Sequence, residues 1–290
     1  MTKLTPAHID QFRTEGATLV EGAFTPDLVG ALADAIRAVT QTWRAGALVA
    51  DQPHNIAQNE TRIVEAGGAV MITNIVHQHP AFARFLNDSP AAELVAGVLG
   101  SKAARFWIDA TFWKQGGGPE GATPWHNDMC TYPWRGEQIA ILWLALTDTG
   151  PDDAPLQTIA GSHEGDGRYA SPLSPQGVEI PPEYKPWSEL LAQAADPGDR
   201  LRTWTAKAGD CLLMHPKLIH GSKPMGPDAS PERLSFSTRW LGDDMVWRPD
   251  VMCPPIPKLM GSPLMQVGKG PPDALLPAQF PRTKSAQAAT

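Results

Sequence analysis

Cysteine is scarce in this chain of 290 residues: Cys130, Cys211 and Cys253, an odd number with no C-x-x-C pair. That excludes a disulfide framework, argues against a Cys-based zinc site, and points to a reducing, cytoplasmic setting. Cations are in the minority, with 24 Lys and Arg against 31 Asp and Glu, for a net charge of −7. Nucleic acids and anionic membranes call for clustered Lys and Arg, so neither is expected as a partner. No apolar run approaches the ~20 residues of a spanning helix. The opening MTKLTPAHIDQFRTEG carries two acids and no apolar stretch, so a signal peptide is not expected either. Internal repeats and low-complexity runs are missing as well. The hydrophobic share of 42% is ordinary, which excludes a disordered chain.

Proline (29) and tryptophan (10), by contrast, are abundant. Many prolines between short apolar runs suggest a loop-rich β fold. The length accommodates a single domain over residues 1–290 with a large core. Its first hundred residues read as mostly helical. Thr5-Pro6 starts one helix and Gly16 ends it. A short strand is predicted near 17–20. Thr25-Pro26 starts a second helix, in which Leu28, Leu32, Ile36, Val39 and Trp43 recur at helical spacing. Asp88-Ser89-Pro90 begins a third, ended by Gly100. Between them, residues 45–80 lose periodicity and hold His54, His77 and His79. That stretch reads either as a flap or as an irregular surface segment.

From Arg105 the period becomes two. Phe106, Ile108, Ala110 and Phe112 share one strand face, and both faces are largely apolar, as in a strand held between layers. IAILWLAL (139–146) and CLLMH (211–215) read as buried strands. RLSFSTRW (233–240) alternates strictly, with Arg233, Ser235, Ser237 and Arg239 on one side. Helices followed by short strands predict a sandwich or barrel with helices outside. Residues 150–205 and 248–290 read as long loops, the second laid over the barrel as a tail.

The triplet His126-Asn127-Asp128 places an imidazole and a carboxylate at i and i+2, the same face of a strand. Those are two members of a 2-His-1-carboxylate metal site, which leaves coordination positions open. His220, after the 211–215 strand, is the candidate third ligand. Arg233, on the next strand, would suit a dicarboxylate, because guanidinium binds carboxylate bidentately. Ser222 shares the face of His220 and could join that grip.

In order and spacing, WHND, ILWLALTDT, APLQTIAGSH, AGDCLLMHPKLIHGS and RLSFSTRW resemble the phytanoyl-CoA dioxygenase (PhyH-like) family, over roughly residues 105–241. The helical opening is similar too. These are Fe(II)- and 2-oxoglutarate-dependent oxygenases that use O2. The resemblance implies a mainly β fold with flanking helices: a cupin-like jelly roll (double-stranded β-helix) at 105–241, a helical support at 1–100 and a loop-rich tail at 248–290. It implies His126, Asp128 and His220 as iron ligands, Arg233 as anchor of the distal carboxylate of 2-oxoglutarate, and Ser222 and Trp143 as walls of that pocket. Ala160 replaces the family's usual proline before Gly-Ser-His, a structural position. Related halogenases lack the carboxylate, so Asp128 favours hydroxylation, desaturation or ring chemistry over halogenation, with hydroxylation and release of succinate and CO2 the leading expectation.

Other residues are candidates for substrate contact. Trp125 and Trp134 flank the motif. Lys114, at a strand end, reads as a rim lysine or as a contact of cosubstrate or substrate. Arg239 shares Arg233's face but lies roughly 20 Å along the strand at ~3.3 Å per residue, so it reads as a rim salt bridge or a grip on a substrate acid. His163 and His215 read as structural. A small, partly apolar metabolite is the expected partner, with no obligatory protein partner. Two other classes compete: a metal-binding jelly-roll protein without turnover, and a zinc-dependent hydrolase on a cupin-like barrel. The joint presence of the triad and Arg233 disfavours the first, and the second lacks an evident extra general base.

Overall fold

The computed structural model describes residues 4–48, 61–116, 121–254 and 257–281. Its opening helix is set by local chemistry. The Thr5 hydroxyl accepts the His8 N–H and the His8 ring accepts the Thr5 N–H, closing both ends of a capping box. Helix α1 (Pro6–Glu15) stops at Gly16, whose φ of 84° is left-handed and favours a residue without Cβ. Strand β1 (Ala17–Val20) and helix α2 (Pro26–Arg44) follow, with Leu28, Leu32, Ile36 and Val39 buried on one face of α2.

The segment expected to be irregular divides in two. Residues 49–60, with His54, lie outside the described residues. Beyond them β2 (Arg62–Ala66) and β3 (Ala69–Thr73) form a hairpin across Gly67-Gly68, both with positive φ, the conformation a tight hairpin turn demands. Helix α3 (Pro80–Asp88) then packs beside α4 (Ala91–Leu99), and the His79 ring caps α3 by accepting the Ala81 N–H.

The remaining strands are β4 (Ala104–Gln115), β5 (Thr123–His126), β6 (Trp134–Arg135), β7 (Ile139–Ala145) and β8 (Leu156–Ile159). After helix α5 (Trp187–Ala195) come β9 (Leu201–Trp204), β10 (Cys211–Met214), β11 (His220–Ser222), β12 (Glu232–Leu241), β13 (Val246–Trp247) and β14 (Ala278–Phe280). Residues 150–205 are therefore not one long loop: β8, α5 and β9 lie within them. Short apolar runs such as LQTI become strands once a neighbour supplies the ladder, here β11. The tail does lie on the sheet, through β14 against β4.

Two antiparallel sheets build the core, in the orders β1-β10-β7-β12-β4-β3-β2 and β5-β11-β8-β9. Among the described residues no ladder joins them into a closed barrel, so the fold is a two-sheet jelly roll. One face of the large sheet buries Leu234, Phe236, Trp240, Leu142 and Leu144 against α2, α3 and α4. The other face, with Trp143, Ile141 and Leu212, looks into the space between the sheets.

A bulge corrects the expected face of β4. Arg239 pairs with Ile108 and Trp240 with Phe106, which leaves Trp107 as the extra residue. Phe106 therefore turns to the helical side and meets Trp240 edge-on at 5.7 Å, away from Ile108, while Trp107 turns inward onto the Tyr132 ring at 4.7 Å. Among the described residues no helix is long and apolar enough to cross a membrane.

Candidate active site

His126 and His220 face each other because β5 and β11 pair in register, His126 against His220. Gly221 permits this approach: a Cβ there would meet the Thr123 carbonyl oxygen at 2.8 Å. The two imidazole centroids are 4.2 Å apart. Asp128 arrives differently from the strand-parity expectation. Strand β5 ends at His126, and Asp128 lies in the following turn with helical φ and ψ, its N–H bonded to the Pro216 carbonyl at 2.9 Å. Asn127 fastens that turn, donating to the carbonyls of Gly167 and Lys217.

One ligand-type atom from each of His126, Asp128 and His220 lies within 4.8 Å of the others. Backbone carbonyls choose the tautomers. Nδ1 of His126 is 2.7 Å from Pro124 O, and Nδ1 of His220 is 2.9 Å from Leu218 O. A carbonyl only accepts, so each Nδ1 carries a hydrogen and Nε2 is the ring atom left to meet a metal. Both Nε2 atoms face Asp128 Oδ1, at 3.3 and 4.0 Å. The other carboxylate oxygen is taken: Oδ2 accepts from Tyr132 Oη at 2.7 Å and from Arg239 Nη2 at 3.1 Å, and Arg239 Nε donates to Tyr132 Oη at 3.0 Å. Burial opposes the charge on Asp128, but Arg239 and the hydrogen bond from His126 hold its carboxyl well below the usual range. Burial and the neighbouring His126 push His220 down to about 4, so it is neutral at pH 7. Against burial, Asp128 raises the proton affinity of His126, so a metal would take the place of that proton; two imidazoles and a carboxylate are the donor set of an open divalent metal site.

Arg239 does make a salt bridge, but to Asp128 of the triad, which takes up its guanidinium. Arg239 is half-buried and bonded to Asp128 and Tyr132. A strand's parity gives the face of Arg239 but not what the small sheet sets opposite it. Tyr132 went unnoticed in the sequence, where its only signal is a place four residues after Asp128.

Farther along β12, Arg233 is 2% exposed. Its guanidinium lies over the Trp143 ring at 5.1 Å, and its Nε and Nη2 have no hydrogen-bond partner. Lys114 pairs with Arg233 in register and is 3% exposed, so it is no rim lysine. The strand end it occupies is covered by β5 and β11, where its Nζ donates to Ser222 Oγ at 2.7 Å and Thr123 Oγ1 at 3.1 Å. Burial, then the charge of Arg233, pushes Lys114 down to about 7. Two basic side chains and two hydroxyls therefore converge in a corner beside the triad where, among the described residues, neither Arg233 nor Lys114 makes an ion pair; Asp153, whose charge acts on Arg233, is bonded to the N–H groups of Gly150 and Ser230. Unpaired buried guanidinium donors are costly, and a bound carboxylate would satisfy them. The corner fits a dicarboxylate cosubstrate on this ground.

The tryptophans divide. Trp143 walls this corner. Trp134 is fully buried between Trp107 and Trp247 and belongs to the core rather than to a substrate wall. Trp125 is next to His126 and so points the other way, against Leu190 of α5, where it lines a cleft of about 330 Å³ with Gln157 and Leu201. His163 and His215 are packing residues. The His163 ring contacts the Arg13 carbonyl, and His215 is buried against Phe12.

The phytanoyl-CoA dioxygenase (PhyH) family profile matches residues 12–229. No curated protein matches the chain in sequence. Solved structures share its fold at low identity. The non-heme alpha-ketoglutarate-dependent carbocyclase SnoK from nogalamycin biosynthesis is 16% identical, with a TM-score of 0.70 over 96% of this chain and 98% of its own. The epimerase SnoN, solved with Fe3+, alpha-ketoglutarate and nogalamycin RO, is 18% identical, with a TM-score of 0.64 over 94% and 97%. EctD from S. alaskensis, solved with 2-oxoglutarate and 5-hydroxyectoine, is 21% identical, with a TM-score of 0.65 over 94% and 86%. The matched span takes in the triad and most of both sheets, and the chain belongs to the phytanoyl-CoA dioxygenase family.

Proposed function

We propose that this protein is an Fe(II)- and 2-oxoglutarate-dependent dioxygenase that hydroxylates a small, partly apolar metabolite. The observation that carries the reading is the placement of Arg233, buried and short of partners, beside the His126, Asp128 and His220 set. A protein that only held metal, or a zinc hydrolase, would have no use for that cationic corner.

In this reading His126 Nε2, His220 Nε2 and Asp128 Oδ1 hold the iron. Iron held there would supply oxidising power with O2 and 2-oxoglutarate, the latter leaving as succinate and CO2. The chain supplies the rest. Arg233, Lys114 and Ser222 bind the distal carboxylate, Trp143 closes the wall behind it, and burial keeps water from the corner. Tyr132 and Arg239 occupy Asp128 Oδ2 and leave Oδ1 for the metal. Asp128 supports hydroxylation over halogenation, because a carboxylate fills the place a halide would need. The three cysteines, all buried free thiols, support a reducing compartment such as the cytoplasm.

The test is Fe(II)-dependent formation of succinate from 2-oxoglutarate by the purified protein, then by His126→Ala and His220→Ala. Activity in the parent, and its loss with retained folding in the variants, is expected. Undiminished decarboxylation in His220→Ala would remove that residue from the ligand set. Once a substrate is in hand, product mass separates the outcomes. Hydroxylation adds one oxygen, ring closure removes two hydrogens, and epimerisation leaves the mass unchanged.

A further inference from the structure

The inner face of the hairpin β2–β3 carries a cation that the reaction does not use. Paired residues of an antiparallel ladder project to the same side of the sheet. Arg62 pairs with Thr73, Thr73 with Ala110, Ala110 with Ser237 and Ser237 with Trp143, so Arg62 shares the face of Trp143, toward the space between the sheets. The same chain of pairs puts Val64 beside Met71 and Met71 beside Phe112. On this face Arg62, Val64, Met71 and Phe112 are only half-buried, whereas Ile63, Ile72 and Thr111 on the opposite face are buried under the helices. The edge of the large sheet therefore presents an open apolar wall with one guanidinium on it. Nε of Arg62 is shielded from solvent and has no hydrogen-bond partner, and no ion pair of a described residue reaches the side chain. Three strand spacings of ~4.8 Å put Arg62 about 14 Å across the sheet from Ser237, two residues from the Arg239 that braces Asp128.

We infer that Arg62 is the anchor for an oxyanion of the substrate, a carboxylate or a phosphate. The apolar body of the substrate lies on Val64, Met71 and Phe112, with the reacting carbon at the far end toward the triad. The charge argues for it: a partly desolvated guanidinium with no acid paired to it among the described residues gains most from a bidentate anion. Register separates it from the Arg233 corner, which serves the cosubstrate: Arg62 lies on the Thr73–Ala110–Ser237 row, and Arg233 on the Ala69–Lys114 row four residues along the strands. This inference rests on the dioxygenase reading for where the reaction occurs, but its test needs no turnover.

The probes are 2-naphthylacetate, 2-naphthyl phosphate and neutral 2-naphthylacetamide. Binding is measured by calorimetry on the full chain, anaerobically, with Fe(II) and saturating 2-oxoglutarate so that the Arg233 corner is filled. At least one anionic probe should bind the parent about 10-fold or more tighter than the amide, a difference of ~1.4 kcal/mol. Arg62→Gln should erase that preference, Arg62→Lys should keep part of it, and 2-oxoglutarate affinity should stay within about two-fold in both. Whichever anion binds tighter identifies the oxyanion. Absence of an anion preference in the parent, absence of binding by both anions, or a preference that survives Arg62→Gln would each overturn the assignment. Failure of the dioxygenase reading would appear separately, as no Fe(II)-dependent succinate formation.

Discussion

Tyr132 donates its phenolic hydrogen to Asp128 Oδ2 at 2.7 Å. With Arg239 on the same oxygen, the carboxylate is turned so that Oδ1 faces the two histidine Nε2 atoms. Partners of this kind, one step removed from a metal, are commonly worth about 10–100-fold in metal affinity. Tyr132→Phe should therefore bind Fe(II) about 10-fold or more weakly in an anaerobic titration, with Tm little changed. An unaltered Fe(II) affinity would show that Arg239 alone orients Asp128.

The two arginines of β12 should separate cleanly in kinetics. Loss of a charge-assisted pair in a desolvated pocket costs ~2–5 kcal/mol, so Arg233→Ala should raise the KM for 2-oxoglutarate by roughly 30-fold to several-thousand-fold at ~1.4 kcal/mol per decade. Arg233→Lys should fall at the mild end, because an ammonium lacks the planar fork. Arg239→Ala should leave that KM within a few-fold and weaken metal retention instead. A large KM shift in Arg239→Ala and none in Arg233→Ala would exchange the roles.

Lys114 gives a pH dependence of known sign. In the free site burial and Arg233 push it down to about 7, so it is partly neutral near physiological pH. A dicarboxylate beside it favours the charged ammonium, so binding above that value takes up a proton. Affinity for 2-oxoglutarate should fall as pH rises from about 7 to 9, by at most ~10-fold per pH unit. Lys114→Met should bind more weakly at pH 6.5 and show a flatter profile. Calorimetric Kd values at several pH values check both points, and an equally steep profile in Lys114→Met would assign the proton elsewhere.

Asp109 links pH to stability. It is fully buried and accepts the N–H groups of Ile75 and Val76 at 2.9 and 3.3 Å, yet burial pushes its carboxyl up to about 7. A folded value above the unfolded ~3.9 means a contribution that is complete below about pH 4 and lost as pH rises through 7. The whole effect is of order 4 kcal/mol at ~1.4 kcal/mol per pH unit of separation. Asp109→Asn keeps an acceptor and removes the titration. The stability of the parent relative to Asp109→Asn should therefore decline between pH 4 and pH 8 in urea unfolding, and a constant difference would contradict this.

The sequence by itself determined helical caps, buried strands and the three residues of the triad, but not the Tyr132 and Arg239 that brace Asp128. Thr5, Gly16 and Gly100 mark helix ends through local backbone chemistry, and alternation along β12 puts Arg233 and Arg239 on one face whatever surrounds them. The resemblance in WHND and LIHGS named His126, Asp128 and His220, although Asp128 joins them through a turn rather than through strand parity. Tertiary structure decided what stands opposite. Periodicity gives the direction of a side chain but not its partner; the partners of Arg239 and Lys114, and the place of Arg62 on the inner face, are set by pairings between strands. The bulge at Trp107, which moves that ring inward onto Tyr132, depends on how β4 and β12 align across more than a hundred residues of chain, and no local pattern records it.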